Sequence, residues 1–271
     1  MSQLPTRSAN RLSAQATAPA TARTNERTTA QAPAQATARL KARSGKPTTE
    51  ETRVTDHAVP PVSTSRDAVS SVVLAGLRDG IALREQLLAD EAQSARIATA
   101  AERLVAVLHA GGTLLLCGNG GSAADCQHIA AELTGRFSKA PRRPLPAVAL
   151  TTDSSALTAI ANDFGYAQVF SRQVEALGRP GDALLCISTS GQSENVLAAA
   201  QQARRQGLVV VSLCGPHKGP LSDVSDVCIH VPGHGPDRIQ ELHITVGHIL
   251  CDVIDRAFAL GSALPAQRPR P

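Results

Sequence analysis

Five short apolar runs punctuate residues 113–231. They predict strands near Thr113–Cys117, Pro146–Leu150, Ala183–Ser188, Leu208–Cys214 and Val227–Val231. Each is nearly continuous in Leu, Val, Ile, Ala and Cys rather than alternating apolar with polar, which is the pattern of strands buried on both faces. Before them, apolar residues recur at helical spacing near Ala68–Leu88 and Ala92–His109. After them, Ile239, Leu242, Val246, Ile249, Leu250, Val253 and Ile254 place one apolar stripe on a long helix from Pro236 to about Leu260. Pro236 suits the first helical turn, where its missing N–H costs nothing, and Asp237 favours the positive end of the dipole. Helices between most of the strands complete a βα alternation. The fold class is therefore α/β: a flavodoxin-like, five-stranded parallel sheet in the order 2-1-3-4-5, flanked by helices.

Two of the predicted strands run straight into loops with phosphate chemistry. Leu115–Cys117 leads into Gly118-Asn-Gly-Gly-Ser122. Glycines let the backbone approach a ligand, and a helix start supplies free N–H groups and the positive dipole end. Ala183–Ile187 leads into Ser188-Thr-Ser-Gly-Gln-Ser193 and a helix from Glu194 to Gln206. Four hydroxyls in six residues suit the acceptor oxygens of a phosphate monoester. Neither loop holds Lys or Arg, and neither has the Lys of a nucleotide P-loop or a dinucleotide fingerprint. Neutral donors of this kind point to a small phosphorylated metabolite. His128 and Glu132, at i and i+4 after the first loop, share one helix face. The bland reading of that pair is an ordinary surface contact, and of His243 on the last helix a core histidine.

These segments resemble the sugar isomerase (SIS) family, and most closely its phosphoheptose isomerases. The resemblance runs from about Ala68 to Phe258 and rests on G-N-G-G-S, H-x-x-x-E-L-T-G-R, N-D-F-G, S-T-S-G-x-S and D-R-I-Q-E-x-H. It implies an aldose–ketose isomerase that converts sedoheptulose 7-phosphate to D-glycero-D-manno-heptose 7-phosphate through an enediol. It implies metal ligands at His128, Glu132, Gln240 and His248, holding one zinc per subunit, with Glu132 and His248 as the acid/base pair. Substrate contacts would fall on Asn119, Gly120, Gly121, Ser122, Asn162, Asp163, Ser188, Thr189, Ser190, Ser193, Asp237 and Gln240. Two departures stand out: Gln192 occupies a position often held by Asn, and Pro232–Pro236 is about one residue shorter than usual. The resemblance further implies a homo-oligomer, a tetramer, with active sites at subunit interfaces. A second reading is a non-enzymatic SIS-domain regulator that binds the bacterial replication initiator. Such members lack parts of the metal and acid/base set that this chain keeps.

Spacing along the last helix bears on the oligomer. Gln240 and His248 are eight residues apart, roughly 12 Å along a continuous helix and about 80° around it. Zinc bonds are only about 2 Å long, so one straight helix cannot easily present both side chains to one ion. Either the helix breaks between them, or the two ligands at one zinc come from different chains.

Composition sets the remaining bounds. Residues 1–66 are rich in Ala, Thr, Arg, Gln and Pro and contain no aromatic residue, Ile or Cys. Such a segment buries too little apolar surface to offset its ordering entropy, so a disordered basic extension is expected, with residues 67–262 forming the folded domain and 263–271 a flexible tail. The extension holds ten Lys and Arg against four Asp and Glu, about +6 of a chain total of +4. The folded part is therefore slightly acidic. All six cysteines lie in it without zinc-type C-x-x-C spacing, as expected of free thiols in a cytoplasmic protein. No run of about 20 apolar residues predicts a membrane span. Trp is absent and aromatics make up 2% of residues, so no stacking platform for nucleic acid is expected.

Overall fold

The structure is a computed structural model, and it describes residues 64–259. The basic extension, apart from its last three residues, and the C-terminal tail expected from the sequence lie outside the described residues. Two helices open the described part: α1 (Arg66–Ala89) and α2 (Glu91–His109). There follow β1 (Leu114–Gly118), α3 (Gly121–Thr134), β2 (Ala147–Ala149), α4 (Ser154–Phe164), α5 (Ser171–Leu177), β3 (Ala183–Ser188), α6 (Glu194–Arg205), β4 (Val209–Cys214), α7 (Pro220–Val224), β5 (Val227–His230) and α8 (Pro236–Phe258). The five strands form one parallel sheet in the order β2-β1-β3-β4-β5, as expected.

Alternation along each strand fills two cores, one on each face of the sheet. Leu114, Leu116, Leu185, Ile187, Val211 and Leu213 point towards α2, α3 and α8. Leu115, Cys117, Leu184, Cys186, Val210 and Cys214 point the other way, against Val174 of α5 and Val196, Ala199, Ala200 and Ala203 of α6. Burial on both sides explains why the strands read as unbroken apolar runs. Each fully buried Leu contributes roughly 2 kcal/mol relative to exposure.

Strand ends differ from the expectation by at most one residue, for local reasons. β1 starts at Leu114 because the Thr113 amide donates to the Asp182 carboxylate at 2.8 Å instead of joining the ladder. β2 is only three residues long. Pro146 just before it has no N–H to donate, though its carbonyl still accepts from Leu114. β4 starts at Val209 because the Leu208 amide closes the end of α6 on the Ala203 carbonyl.

This topology places the chemistry. The chain leaves β1 to form β2 on one side and returns to form β3 on the other, so β1 and β3 flank the switch point where open α/β sheets bind ligands. Both glycine- and hydroxyl-rich loops emerge there. Among the described residues, no helix is long and apolar enough to cross a membrane.

Candidate active site

The two loops at the switch point are tied to each other. Asn119, just after β1, and Asn195, in the first turn of α6, exchange two amide hydrogen bonds, each 2.8 Å. The Tyr166 hydroxyl also donates to Asn119 Oδ1 at 3.0 Å. Gly120 caps α3 with φ +55°, a conformation most residues resist, and a Cβ there would meet only open space. No side chain caps α3 or α6. In these first turns the Ala123 amide donates to the Gly120 carbonyl at 3.0 Å and the Val196 amide to Asn195 Oδ1 at 2.9 Å, so the amides before them, Gly121 and Ser122 on α3 and Glu194 and Asn195 on α6, are the ones placed to meet an anion. Ser122 is buried in the first turn of α3.

In the second loop, buried Ser188 and the N-cap residue Ser193 bring their hydroxyls within 3.0 Å. Ser190 Oγ accepts from the Gln192 amide at 3.2 Å, and the Thr189 carbonyl accepts from the Gly215 amide at 3.1 Å. Gly191 turns the loop with φ +65°. Asn162 and Asp163 sit at the C-terminal end of α4, exposed, with the Asn162 amide donating to Asp163 at 2.7 Å. Tyr166, three residues after Asp163, links that end of α4 to Asn119. Asp237 lies in the first turn of α8 with an exposed side chain and joins no other site residue within hydrogen-bond distance.

A second cluster lies where α3 packs against α8. His128 Nε2 is 2.8 Å from His248 Nε2, so one ring donates to the other, and 3.5 Å from Glu132 Oε1. The rings meet edge to face, and Phe137 flanks His248 at 6.0 Å between centroids. Two imidazoles and a carboxylate are a donor set that suits zinc. Among the described residues, however, no three His, Cys, Asp or Glu side chains already form a metal cage. Gln240 does not join this trio. It packs on Gly121, where an added Cβ would lie only 2.5 Å from its Oε1 and 2.7 Å from its Nε2. Gly121 and His128 are seven residues apart on α3, so Gln240 and His248 meet α3 at separate places. α8 is unbroken from Pro236 to Phe258. The break in the helix that would bring Gln240 and His248 together within one chain is therefore not found.

Three site features escaped the sequence reading. Asp125, one turn before His128 on α3, has a buried Oδ2 with no partner, and burial pushes its pKa up to about 6. Arg142 anchors the end of α3 by donating to the carbonyls of Glu132 at 2.7 Å and Leu133 at 3.0 Å. It also pairs with Asp255 of α8 at 2.5 Å. Asn195 ties the two loops. The helical period marks the face Asp125 occupies but not what packs over it, and the partners of Arg142 and Asn119 lie 113 and 76 residues away. His243 is the core histidine of the bland reading. It is fully buried with no partner on either ring nitrogen, and burial drives its pKa down to about 4.

Similarity to known proteins follows the same lines. The SIS domain family model matches residues 79–215. A phosphoheptose isomerase of Roseiflexus sp. (strain RS-1) is 56% identical over 168 residues, which span 62% of this chain and 85% of that protein. Among solved structures, a phosphoheptose isomerase of Neisseria gonorrhoeae is 43% identical with a TM-score of 0.65, over 69% of this chain and 99% of that one. Another, from Francisella tularensis, is 38% identical with a TM-score of 0.63, over 70% of this chain and 97% of that one.

Proposed function

The chain belongs to the SIS domain family and, within it, to the phosphoheptose isomerases, and from this membership and the geometry of the site we propose how it works. The protein is an aldose–ketose isomerase that takes sedoheptulose 7-phosphate to D-glycero-D-manno-heptose 7-phosphate. The observation that carries the reading is the pairing of two helix N-termini without side-chain caps, those of α3 and α6, with the cluster of His128 and Glu132 on α3 and His248 on α8. One feature binds an anion and the other moves protons.

The phosphate is held by the α6 N-terminus and the hydroxyls of Ser188, Thr189, Ser190 and Ser193. Neutral donors suffice because each N–H or O–H that reaches an anionic oxygen makes a charge-assisted bond. Asn119, Gly120, Gly121, Ser122, Asn162, Asp163 and Asp237 orient the sugar. Glu132 takes the proton from C1 of the ketose, which forms the enediol. His248 carries the hydroxyl proton, and return of a proton to C2 gives the aldose. His128, Glu132, Gln240 and His248 would hold zinc, which supplies Lewis-acid stabilisation of the enediolate oxygens.

The working unit is a homo-oligomer, a tetramer, in which Gln240 of one subunit completes the metal site of another. Two features support this. Gln240 and His248 meet α3 at separate places within a chain, and α1 leaves Val72, Val73, Leu77 and Ile81 more than half exposed. An isolated soluble helix seldom turns such a row to water. The regulator reading is not favoured, because the similar proteins of known activity are phosphoheptose isomerases and the chain carries His128, Glu132, Gln240 and His248.

The test is a split in kinetics. Glu132→Gln should lower kcat by about 10² to 10⁴ with little change in KM. Ser193→Ala should raise KM, by about 1 kcal/mol or more for the lost hydrogen bond to a charged group. A Glu132→Gln enzyme that keeps its kcat would overturn the assignment.

A further inference from the structure

At the sheet edge, β5 carries a group that isomerisation does not use. His230 Nδ1 lies 2.8 Å from the Gly215 carbonyl. A carbonyl can only accept, so Nδ1 bears the proton, and Nε2 of the neutral ring keeps its lone pair. That nitrogen faces Cys228 Sγ at 3.5 Å and Ser222 Oγ at 3.2 Å. Cys228 and His230 alternate along β5 and so share one face of the sheet. Nucleophile, base and orienting acceptor thus stand in line, which is the arrangement that activates a thiol.

The surroundings favour the charged sulfur. Cys214 Sγ lies 3.6 Å and Ser222 Oγ 3.5 Å from Cys228 Sγ, so an S–H and an O–H are in place to donate to a thiolate. The Arg96 guanidinium reaches the Cys228 carbonyl at 3.4 Å and brings positive charge nearby. The hydrogen bond from Cys214 and, against the opposing effect of burial, those of Ser222 and the charges of His230 and Arg96 hold the Cys228 thiol below its usual range. Cys126 and Cys251 differ: burial raises their thiols, and neither carries a histidine at its sulfur. Cys228 is 4% exposed on an edge strand, and His230 borders a surface cleft of about 290 Å³ with Gln93, Pro216 and Pro232.

We propose that Cys228 and His230 form a reactive thiol site, separate from the isomerase residues, at which Cys228 is oxidised by small hydroperoxides. His230 Nε2 takes the thiol proton. The thiolate attacks the outer peroxide oxygen, an S–O bond forms and the O–O bond breaks. The leaving alkoxide or hydroxide takes a proton from the imidazolium. Sulfur is oxidised to the sulfenic acid, the hydroperoxide is reduced to an alcohol or water, and no further reagent is needed. The site abuts the substrate loop, because Gly215 accepts from His230 with its carbonyl and donates its amide to Thr189.

The experiment treats the folded, full-length protein with hydrogen peroxide, traps sulfenic acid with dimedone, and reads each cysteine by peptide mass spectrometry. Cys228 should label at least ten-fold faster than Cys126 or Cys251 in the same sample. His230→Gln should slow that labelling at least ten-fold while circular dichroism and melting temperature stay those of the parent. Equal labelling of the cysteines in the parent overturns the proposal with no variant needed. An unchanged rate in a folded His230→Gln protein overturns it as well. Both readouts are independent of isomerase turnover.

Discussion

Arg142→Met is the substitution with the largest consequence outside the reacting groups. The Arg142 and Asp255 side chains are 1% and 3% exposed and meet at 2.5 Å. Ser138 holds the other carboxylate oxygen at 2.5 Å. Arg142 also donates to the carbonyls of Glu132, Leu133 and Arg143. Methionine matches the volume of the stem but leaves Asp255 buried with Ser138 alone. Stranding a buried charge in this way costs about 3–5 kcal/mol. Each carbonyl that loses its donor adds up to about 1 kcal/mol, less where water replaces it. A loss of about 4 kcal/mol of unfolding free energy in urea is therefore expected, with kcat reduced because the Glu132 backbone loses its anchor. Asp255→Asn in the same chain should restore part of the loss, since the stranded charge is gone. The pH dependence has a definite sign. Burial pushes the Asp255 pKa up, but the Ser138 and Arg142 hydrogen bonds and the guanidinium charge push it further down, and the net shift is downward. A depressed carboxylate stabilises the fold above its unfolded pKa near 4, and that contribution is lost as pH falls through the folded value. The parent should show this acid loss and Arg142→Met should not. A cost below about 1 kcal/mol, or equal costs for the single and double variants, would refute the reasoning.

Three further outcomes follow from the packing. Gly121→Ala should displace the Gln240 amide, because the new methyl would stand 2.5 Å from Oε1; activity measured on a protein of unchanged melting temperature should fall, and full activity would show that Gln240 has room to spare. His243, neutral in the core with its pKa at about 4 against 6.5 unfolded, contributes stability that is present above pH 6.5 and lost as pH falls towards 4, up to about 3 kcal/mol; His243→Met should flatten the urea stability profile across that window, and a profile parallel to the parent's would contradict it. Mixing inactive His248→Ala with inactive Gln240→Ala subunits after dissociation should restore part of the activity, whereas no recovery despite demonstrated exchange would place each site within one chain.

The strands were legible because each is buried on both faces and so reads as an apolar run, and their order came with the flavodoxin-like topology that the βα alternation suggests. Ala183–Ser188 was predicted to the residue. Errors gathered where side chains or prolines intervene, as Asp182 does at Thr113 and Pro146 does before β2. The phosphate loops were legible because glycine and hydroxyl chemistry is local to the sequence. Contacts between distant residues were not: nothing near Asn119 announces Asn195, and nothing near Arg142 announces Asp255. The row of exposed apolar residues on α1 reads as an ordinary core face until the fold shows that only Gly80, Leu83 and Leu87 are buried.

Proton movement at the sugar tests the isomerase chemistry most directly. Purified protein with sedoheptulose 7-phosphate in D₂O, followed by NMR, should yield the aldose 7-phosphate carrying deuterium at C2, and Glu132→Gln should yield none. Absence of turnover by the parent protein supplied with zinc, or product formed equally fast by Glu132→Gln, would contradict an enediol pathway that runs through Glu132.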